Sequence, residues 1–231
     1  MNQNFRKIIT IDGPAGAGKS TMARELARRL TWIYLDTGAL YRAIALTALR
    51  RGVDPADQPA AEELARSLKI TALPGPNGTS IIVDGEDVTE QLRKPEVSLG
   101  AATISAWPGV REVLLSIQRG LGDEGKVVVE GRDMGTVVFP DAGLKLFLYA
   151  DPEARAKRRF TELTAKGENV SFDGVLADQS KRDEADQSRP VSPLKAAPDA
   201  VTINTTNLSI EDVLQVMVNA FRNRFFCKTD D

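Results

Sequence analysis

Gly13-Pro14-Ala15-Gly16-Ala17-Gly18-Lys19-Ser20 follows the short apolar run Ile8-Ile9-Thr10-Ile11 and leads into a helical pattern. No other feature constrains the fold as much, because a strand, a glycine-rich turn and a helix with this spacing form a phosphate-binding P-loop. The glycines let successive backbone N–H groups turn toward one anion, Lys19 can reach the β and γ phosphates, and the Ser20 hydroxyl suits Mg²⁺. The helix opening near Lys19 aims the positive end of its dipole at the same place. Gly13, Ala15, Gly16, Ala17, Gly18, Lys19, Ser20 and Thr21 are therefore the expected nucleotide-binding residues, with Ser20 as the metal ligand. A plain strand-to-helix turn needs one or two glycines and has no use for a Lys-Ser pair at this offset. The expected ligand is a nucleoside triphosphate.

A length of 231 residues suits one α/β domain with an insertion, and 42% hydrophobic residues can fill its core. A net charge of −2 argues against a nucleic-acid polymer as the main ligand. One cysteine, Cys227, excludes an internal disulfide, and Met1-Asn2-Gln3-Asn4-Phe5-Arg6-Lys7 leads into a strand, not a secretory apolar stretch. A cytoplasmic location is expected. No apolar run approaches the ~20 residues that span a bilayer, so no membrane partner is expected. There is no histidine, so catalysis must avoid it as base, nucleophile or metal ligand. Phosphoryl transfer through Lys, Arg and Mg²⁺ meets that restriction.

Apolar β-rich runs at 8–11, 32–35, 126–129, 144–149 and 200–203 alternate with helical patterns at 19–30, 39–51, 110–121, 152–166, 172–188 and 209–224. This alternation predicts an α/β fold of the P-loop NTPase type, a parallel sheet flanked by helices. Between 57 and 108 the rhythm changes. Pro74-Gly75-Pro76-Asn77-Gly78 is a turn cluster, and residues 81–88 resemble a hairpin around Asp84-Gly85. The segment reads as a small α/β insertion beside the sheet. There are no repeats or low-complexity tracts, and a single folded unit, a monomer, is expected.

Asp36-Thr37-Gly38-Ala39-Leu40-Tyr41-Arg42 follows the second strand, at the edge where open α/β sheets bind ligands. Thr37 or its neighbour caps the next helix in one reading and meets ligand in the other. For Arg42 alone, a phosphate role and a solvated face both stand. Glu130-Gly131-Arg132-Asp133-Met134-Gly135 follows the central strand, and function is the better reading for Arg132 and Asp133 there. A carboxylate so placed can accept from an exocyclic amine, as Asp does from cytosine N4. Arg155, Arg158 and Arg159 form one helical stripe, and Arg182, Asp186 and Arg189 another. Solvent-exposed pairs of this kind contribute only a few tenths of a kcal/mol. Joined by Gly167-Glu168-Asn169-Val170-Ser171 in a chain that must neutralise a phosphoryl group, they predict a mobile, arginine-bearing lid.

These motifs, with residues 131–142 and Arg182-Asp183-Glu184-Ala185-Asp186-Gln187-Ser188-Arg189, resemble the bacterial cytidylate kinases from near the N-terminus to the last helix. The Arg132-Asp133 segment is much more specific than the P-loop, which many families share. The resemblance implies a nucleoside monophosphate kinase with a core at 1–56 and 109–231, a monophosphate-binding region at 57–108 and a lid at 152–190. It also implies Mg²⁺-dependent transfer from ATP to CMP or dCMP. Carried over by position, Lys19, Arg132, Arg158 and Arg159 would stabilise the transferring group. Thr37, Arg42 and Arg132 would hold the acceptor phosphate, Arg111 and Asp133 would read the cytosine edge, Arg182 and Asp186 would contact the ribose, and Arg189 would close over the acceptor. Two positions depart from the pattern: Thr37 stands where relatives often have serine, and Ala102 where the family usually places a serine that bonds the base. Ser98 and Ser105, at i−4 and i+3 from Ala102, are the candidates to replace it.

Two other readings remain from the residues themselves. A kinase with a hydroxyl acceptor would use Asp36 or Asp133 as base. A nucleotide-binding switch would need a guanine-reading Asn-Lys-x-Asp element, which Asn204-Thr205-Thr206-Asn207 does not supply.

Overall fold

The computed structural model describes residues 6–75 and 78–226. β1 (Arg6–Asp12), α1 (Lys19–Leu30), β2 (Ile33–Asp36) and α2 (Gly38–Arg50) open the chain, within two residues of their expected bounds. The insertion follows as α3 (Gln58–Ser67), β3 (Ile70–Gly75), β4 (Gly78–Val83), β5 (Glu86–Asp87), a 3₁₀ turn at Thr89–Arg93 and α4 (Pro95–Ile104). α5 (Pro108–Gly120) returns to β6 (Val127–Gly131), a π turn at Met134–Val138 and β7 (Ala142–Tyr149). The chain ends in α6 (Pro152–Ala165), α7 (Phe172–Ser188), β8 (Val201–Asn204) and α8 (Ile210–Phe225).

The main sheet is parallel throughout, in the order β2-β6-β1-β7-β8. Its strands read as continuous apolar runs because both faces are covered. On one face Ile9, Val128 and Leu146 join Leu26 of α1 and Met217 of α8 in one buried cluster. On the other, Ile8, Leu35 and Val129 join Met134, Val138 and Phe139. Parallel register sets the carboxyl ends of β1, β2 and β6 side by side, so the loops that follow them converge.

The insertion buries its own core against α2, with Leu40, Ile44, Ile81, Val97 and Ile104 in one cluster. Its three strands are antiparallel. The expected Asp84-Gly85 hairpin is present, and φ values of 50° and 90° at those residues suit a two-residue turn that follows the strands' twist. Of the other expected turn, Pro76 and Asn77 lie outside the described residues, but Gly75 and Gly78 pair across it. Thr79 Oγ1 donates to the Tyr34 carbonyl at 3.1 Å and ties the insertion to β2.

α6 and α7 form a hairpin with a small apolar cluster of its own, Ala156, Leu163 and Val175, flanked by Phe160 and Phe172. Ser171 caps α7, accepting from the Gly174 N–H at 3.1 Å. No helix among the described residues is long and apolar enough to cross a membrane. Cys227 lies outside the described residues.

Candidate active site

The P-loop requires its glycines. A Cβ on Gly13, at φ +149°, would sit 2.0 Å from the Leu148 carbonyl oxygen. Gly18 leads into α1 without a side-chain cap, so the first-turn N–H groups stay open to an anion. Lys19 is buried and donates to the Pro14 carbonyl at 2.7 Å. Burial, then the charge of Arg132, bring its ammonium down to about 7. Ser20 Oγ donates to Glu130 Oε2 at 2.9 Å, and the Tyr34 phenol donates to Oε1 at 2.5 Å. Burial foremost, then Asp36, push the Glu130 carboxyl up.

Across the same sheet edge stand the expected acceptor residues. Arg42 pairs with Asp36 at 2.6 Å, both side chains 28% exposed. Asp36 is also the residue that caps α2, accepting from the Ala39 N–H at 3.2 Å. Thr37 is buried and turns its hydroxyl to the Glu130 carbonyl at 2.7 Å. Arg132 donates through Nε to Asp186 at 2.7 Å. Arg111 and Asp133 form a buried ion pair, with Arg111 also donating to the Ser105 carbonyl at 3.1 Å and lying over the Tyr41 ring. Arg189 stands 3.8 Å from Asp186, and its Nη2 is buried with no partner among the described residues. Burial pushes the guanidiniums of Arg182 and Arg189 down from their usual values. Arg111, Asp133, Arg189, Asp186 and Arg132 are thus linked, Arg42 stands apart on Asp36, and Ala102 is exposed on α4. The hydroxyl of Ser98 donates to the Lys94 carbonyl just before α4, and that of Ser105 to the Ala102 carbonyl within it.

The three arginines of α6 diverge. Arg155 reaches the P-loop, donating to the Ala15 carbonyl at 3.0 Å and pairing with Asp183 at 2.6 Å. Arg158 donates to the Thr205 hydroxyl at 3.1 Å and to the Thr205 carbonyl, bracing the loop after β8. Arg159 pairs with Glu162 at 2.9 Å on the helix surface.

Asp12 was not among the expected site residues. It ends β1, is 4% exposed, and accepts from the Met134 and Gly135 N–H groups at 2.9 and 2.8 Å. It therefore staples the turn carrying Arg132 and Asp133 to the root of the P-loop. Its motif neighbour Gly13 was the only local signal. Burial lifts its carboxyl from 3.8 to about 6. Because the folded value is the higher one, this group's stabilising contribution is full below the unfolded value and is lost as pH rises through the folded value. Asp12→Asn does not titrate, so the stability difference should move in the variant's favour by roughly 2–3 kcal/mol between about pH 4 and pH 7. Urea midpoints of both proteins across that range check it, and parallel profiles would contradict it.

A P-loop facing arginines and a buried Arg–Asp pair across a parallel sheet edge defines a small-molecule kinase of the P-loop class. The sequence model of the cytidylate kinase family matches residues 9–223, and the chain belongs to that family. It is 48% identical over 221 residues to "Cytidylate kinase" of Solibacter usitatus (strain Ellin6076), covering 95% of this chain and 94% of the relative. It is 49% identical over 210 residues to "Cytidylate kinase" of Pseudomonas savastanoi pv. phaseolicola (strain 1448A / Race 6), covering 90% and 92%. Among solved structures, a gluconokinase from Sinorhizobium meliloti 1021 matches with TM-score 0.50 at 12% identity, covering 96% of this chain and 95% of that one. An uncharacterized protein from Eubacterium ventriosum ATCC 27560 matches with TM-score 0.53 at 13% identity, covering 95% and 99%. These two likenesses concern the fold alone.

Proposed function

We propose that this chain transfers the γ-phosphoryl group of ATP to CMP or dCMP, releasing ADP and CDP or dCDP. The family match and the full-length relatives support the reaction. Support for the acceptor comes from one observation above all: the buried Arg111–Asp133 pair lies beside Arg189 and Tyr41. A donor beside an acceptor matches the edge of cytosine, whose N4 amine donates. The acceptor phosphate is already anionic near neutral pH, so the reaction needs positioning and charge neutralisation more than a general base. A chain without histidine suits that requirement.

In this reading Lys19 holds the β and γ phosphates against the α1 N-terminus, Arg42 exchanges Asp36 for the acceptor phosphate, and Arg132 keeps Asp186 on Nε while its terminal N–H groups take up that phosphate. Thr37 fixes the strand end beside them, Arg182 and Asp186 meet the ribose, and Arg189 closes over the acceptor. Arg158 and Arg159 ride on the lid at 152–190, with residues 57–108 as the monophosphate-binding region. The residues fit Mg²⁺: the Ser20 hydroxyl donates its hydrogen bond to Glu130 and keeps its oxygen lone pairs for a hard cation. No carboxylate cluster among the described residues could hold a metal alone, so nucleotide oxygens would complete its shell. When bound, Mg²⁺ supplies charge neutralisation at the transferring phosphates.

Supplying ATP and Mg²⁺ with CMP, dCMP, UMP, AMP and a hydroxyl acceptor in turn tests the assignment. CMP and dCMP should be consumed well above the rest, and preference for a hydroxyl acceptor would overturn it. Arg132→Ala should lower kcat/KM for CMP about 10–100-fold, the equivalent of one charge-assisted hydrogen bond of about 1.5–3 kcal/mol, and change ATP affinity much less. An equal loss in ATP affinity would show its place to be wrong.

A further inference from the structure

Gln179 has no part in the chemistry above, yet it is 6% exposed and wedged against the donor loop. Its Nε2 donates to the Ala15 carbonyl at 3.4 Å, and a Cβ on Gly16 would lie 2.6 Å from that nitrogen. The orientation of the amide follows from chemistry, since turning it over would set Oε1 against a carbonyl oxygen. The consequence is a buried Oε1 with no partner among the described residues, which a fold rarely carries without a reason. The Ala15 carbonyl receives a second donor, Arg155 at 3.0 Å. Arg155 is held in turn by Asp183 at 2.6 Å, one helical turn beyond Gln179.

A trans peptide points its C=O and N–H in opposite directions. Anchoring the Ala15 carbonyl to the α6–α7 hairpin therefore turns the Gly16 N–H away from the hairpin, in the sense a phosphate-binding loop requires. The same helix face continues to the other substrate. Gln179, Asp183 and Asp186 share one stripe at i, i+4 and i+7. Asp186, about 10 Å further along α7 at the helical rise, holds Arg132 at 2.7 Å and stands 3.8 Å from Arg189. One helix touches both sites.

We propose that Gln179, backed by the Arg155–Asp183 pair, is a positioning residue through which α7 couples the acceptor arginines to the Ala15–Gly16 peptide, so that acceptor nucleotide tightens donor nucleotide. An acceptor phosphate gathered by Arg132 and Arg189 fixes the Asp186 end of α7. A fixed α7 holds the peptide in place, and the triphosphate then has less ordering to do. The coupling is reciprocal, as linkage demands. This inference rests on the reading of the site as a kinase with two nucleotide subsites.

The test is calorimetric titration of a non-hydrolysable ATP analogue with Mg²⁺, with and without saturating CMP, beside steady-state kinetics. In the unmodified protein CMP should tighten the analogue at least about fivefold, the lower end of ordinary allosteric coupling. Gln179→Met keeps the volume and loses the donor. It should bind the analogue alone within about threefold of the unmodified protein, with the CMP effect reduced below about twofold and kcat lowered about tenfold. Asp183→Asn, which keeps size but frees Arg155, should lose the same coupling and serves if Gln179→Met does not fold. A Gln179→Met protein that keeps the full CMP effect, or that loses analogue affinity equally with and without CMP, overturns the inference. An unmodified protein that transfers to CMP at ordinary rates but shows no CMP effect overturns it too. If the unmodified protein transfers nothing to CMP, the functional reading fails instead.

Discussion

Lys19→Ala should lower phosphoryl transfer about 10²–10³-fold, the usual effect of removing one preorganised charge from a developing anion. The fold should hold within about 1 kcal/mol, because Lys19 bonds only a loop carbonyl and touches no core cluster. Burial and Arg132 bring its ammonium down to about 7, so the free site carries this charge only in part at neutral pH. A triphosphate supplies the opposite charge and lifts that value, so binding above about pH 7 takes up a proton. ATP affinity should accordingly fall as pH rises from about 7 to 9 in the unmodified protein, and Lys19→Ala should lack that slope. Calorimetry in buffers of different ionisation enthalpy reads the proton directly. Near-normal turnover in the variant would contradict the donor-site assignment, and identical pH slopes would contradict the titration.

Lys19 was legible because its signal is local: a strand, a glycine turn and a helix within about 20 residues state their own geometry. The main strands and helices were legible for the same reason, each carrying a strand or helix period of its own. α3 and α4 were not read as helices, although Asp57 before Gln58-Pro59 and Pro95 at a first turn are ordinary starts. Their ten-residue lengths inside a proline- and glycine-rich stretch hid the period. In the candidate site the motifs point to residues, but many of the partners those residues find are not legible in them. Asp12 finds Met134 and Gly135 across the sheet, 122 and 123 positions away, and topology alone brings them together. Arg155, Arg158 and Arg159 share a stripe, yet one meets the P-loop, one the loop after β8 and one Glu162. Helical spacing says which residues can face one way, not what they will meet. Gln179 stands one turn before Arg182 and Asp183 one turn before Asp186, so stepping back by one turn from those two stripe residues leads to both.

Asp133→Ala should collapse the preference for CMP over UMP by about 10–100-fold, the equivalent of a charged hydrogen bond of about 1.5–3 kcal/mol. In the proposed reading Asp133 accepts from the N4 amine of cytosine, whereas uracil would offer an O4 acceptor to the same carboxylate and be repelled. Losing the carboxylate removes both the attraction and the repulsion, so the loss of CMP activity and the relative gain of UMP act together. The substitution also leaves Arg111 buried at 8% exposure without its ion partner, a change that costs about 3–5 kcal/mol and lowers the folded fraction. The ratio of the two kcat/KM values is unaffected by that fraction, since both substrates sample the same folded enzyme. Asp133→Asn separates the terms further. Its amide still accepts from N4 through oxygen and, turned over, donates to O4, so UMP should improve in absolute rate while CMP declines. Ala102→Ser adds back one neutral hydroxyl and should raise the CMP preference by no more than about tenfold, the ceiling for a single neutral hydrogen bond. Ser98 and Ser105 direct their hydroxyl protons at the Lys94 and Ala102 carbonyls, so neither donor is free to replace the missing one. Rates with CMP and UMP for the three variants decide the matter: an unchanged ratio in Asp133→Ala removes the carboxylate from base reading, whatever the serine does.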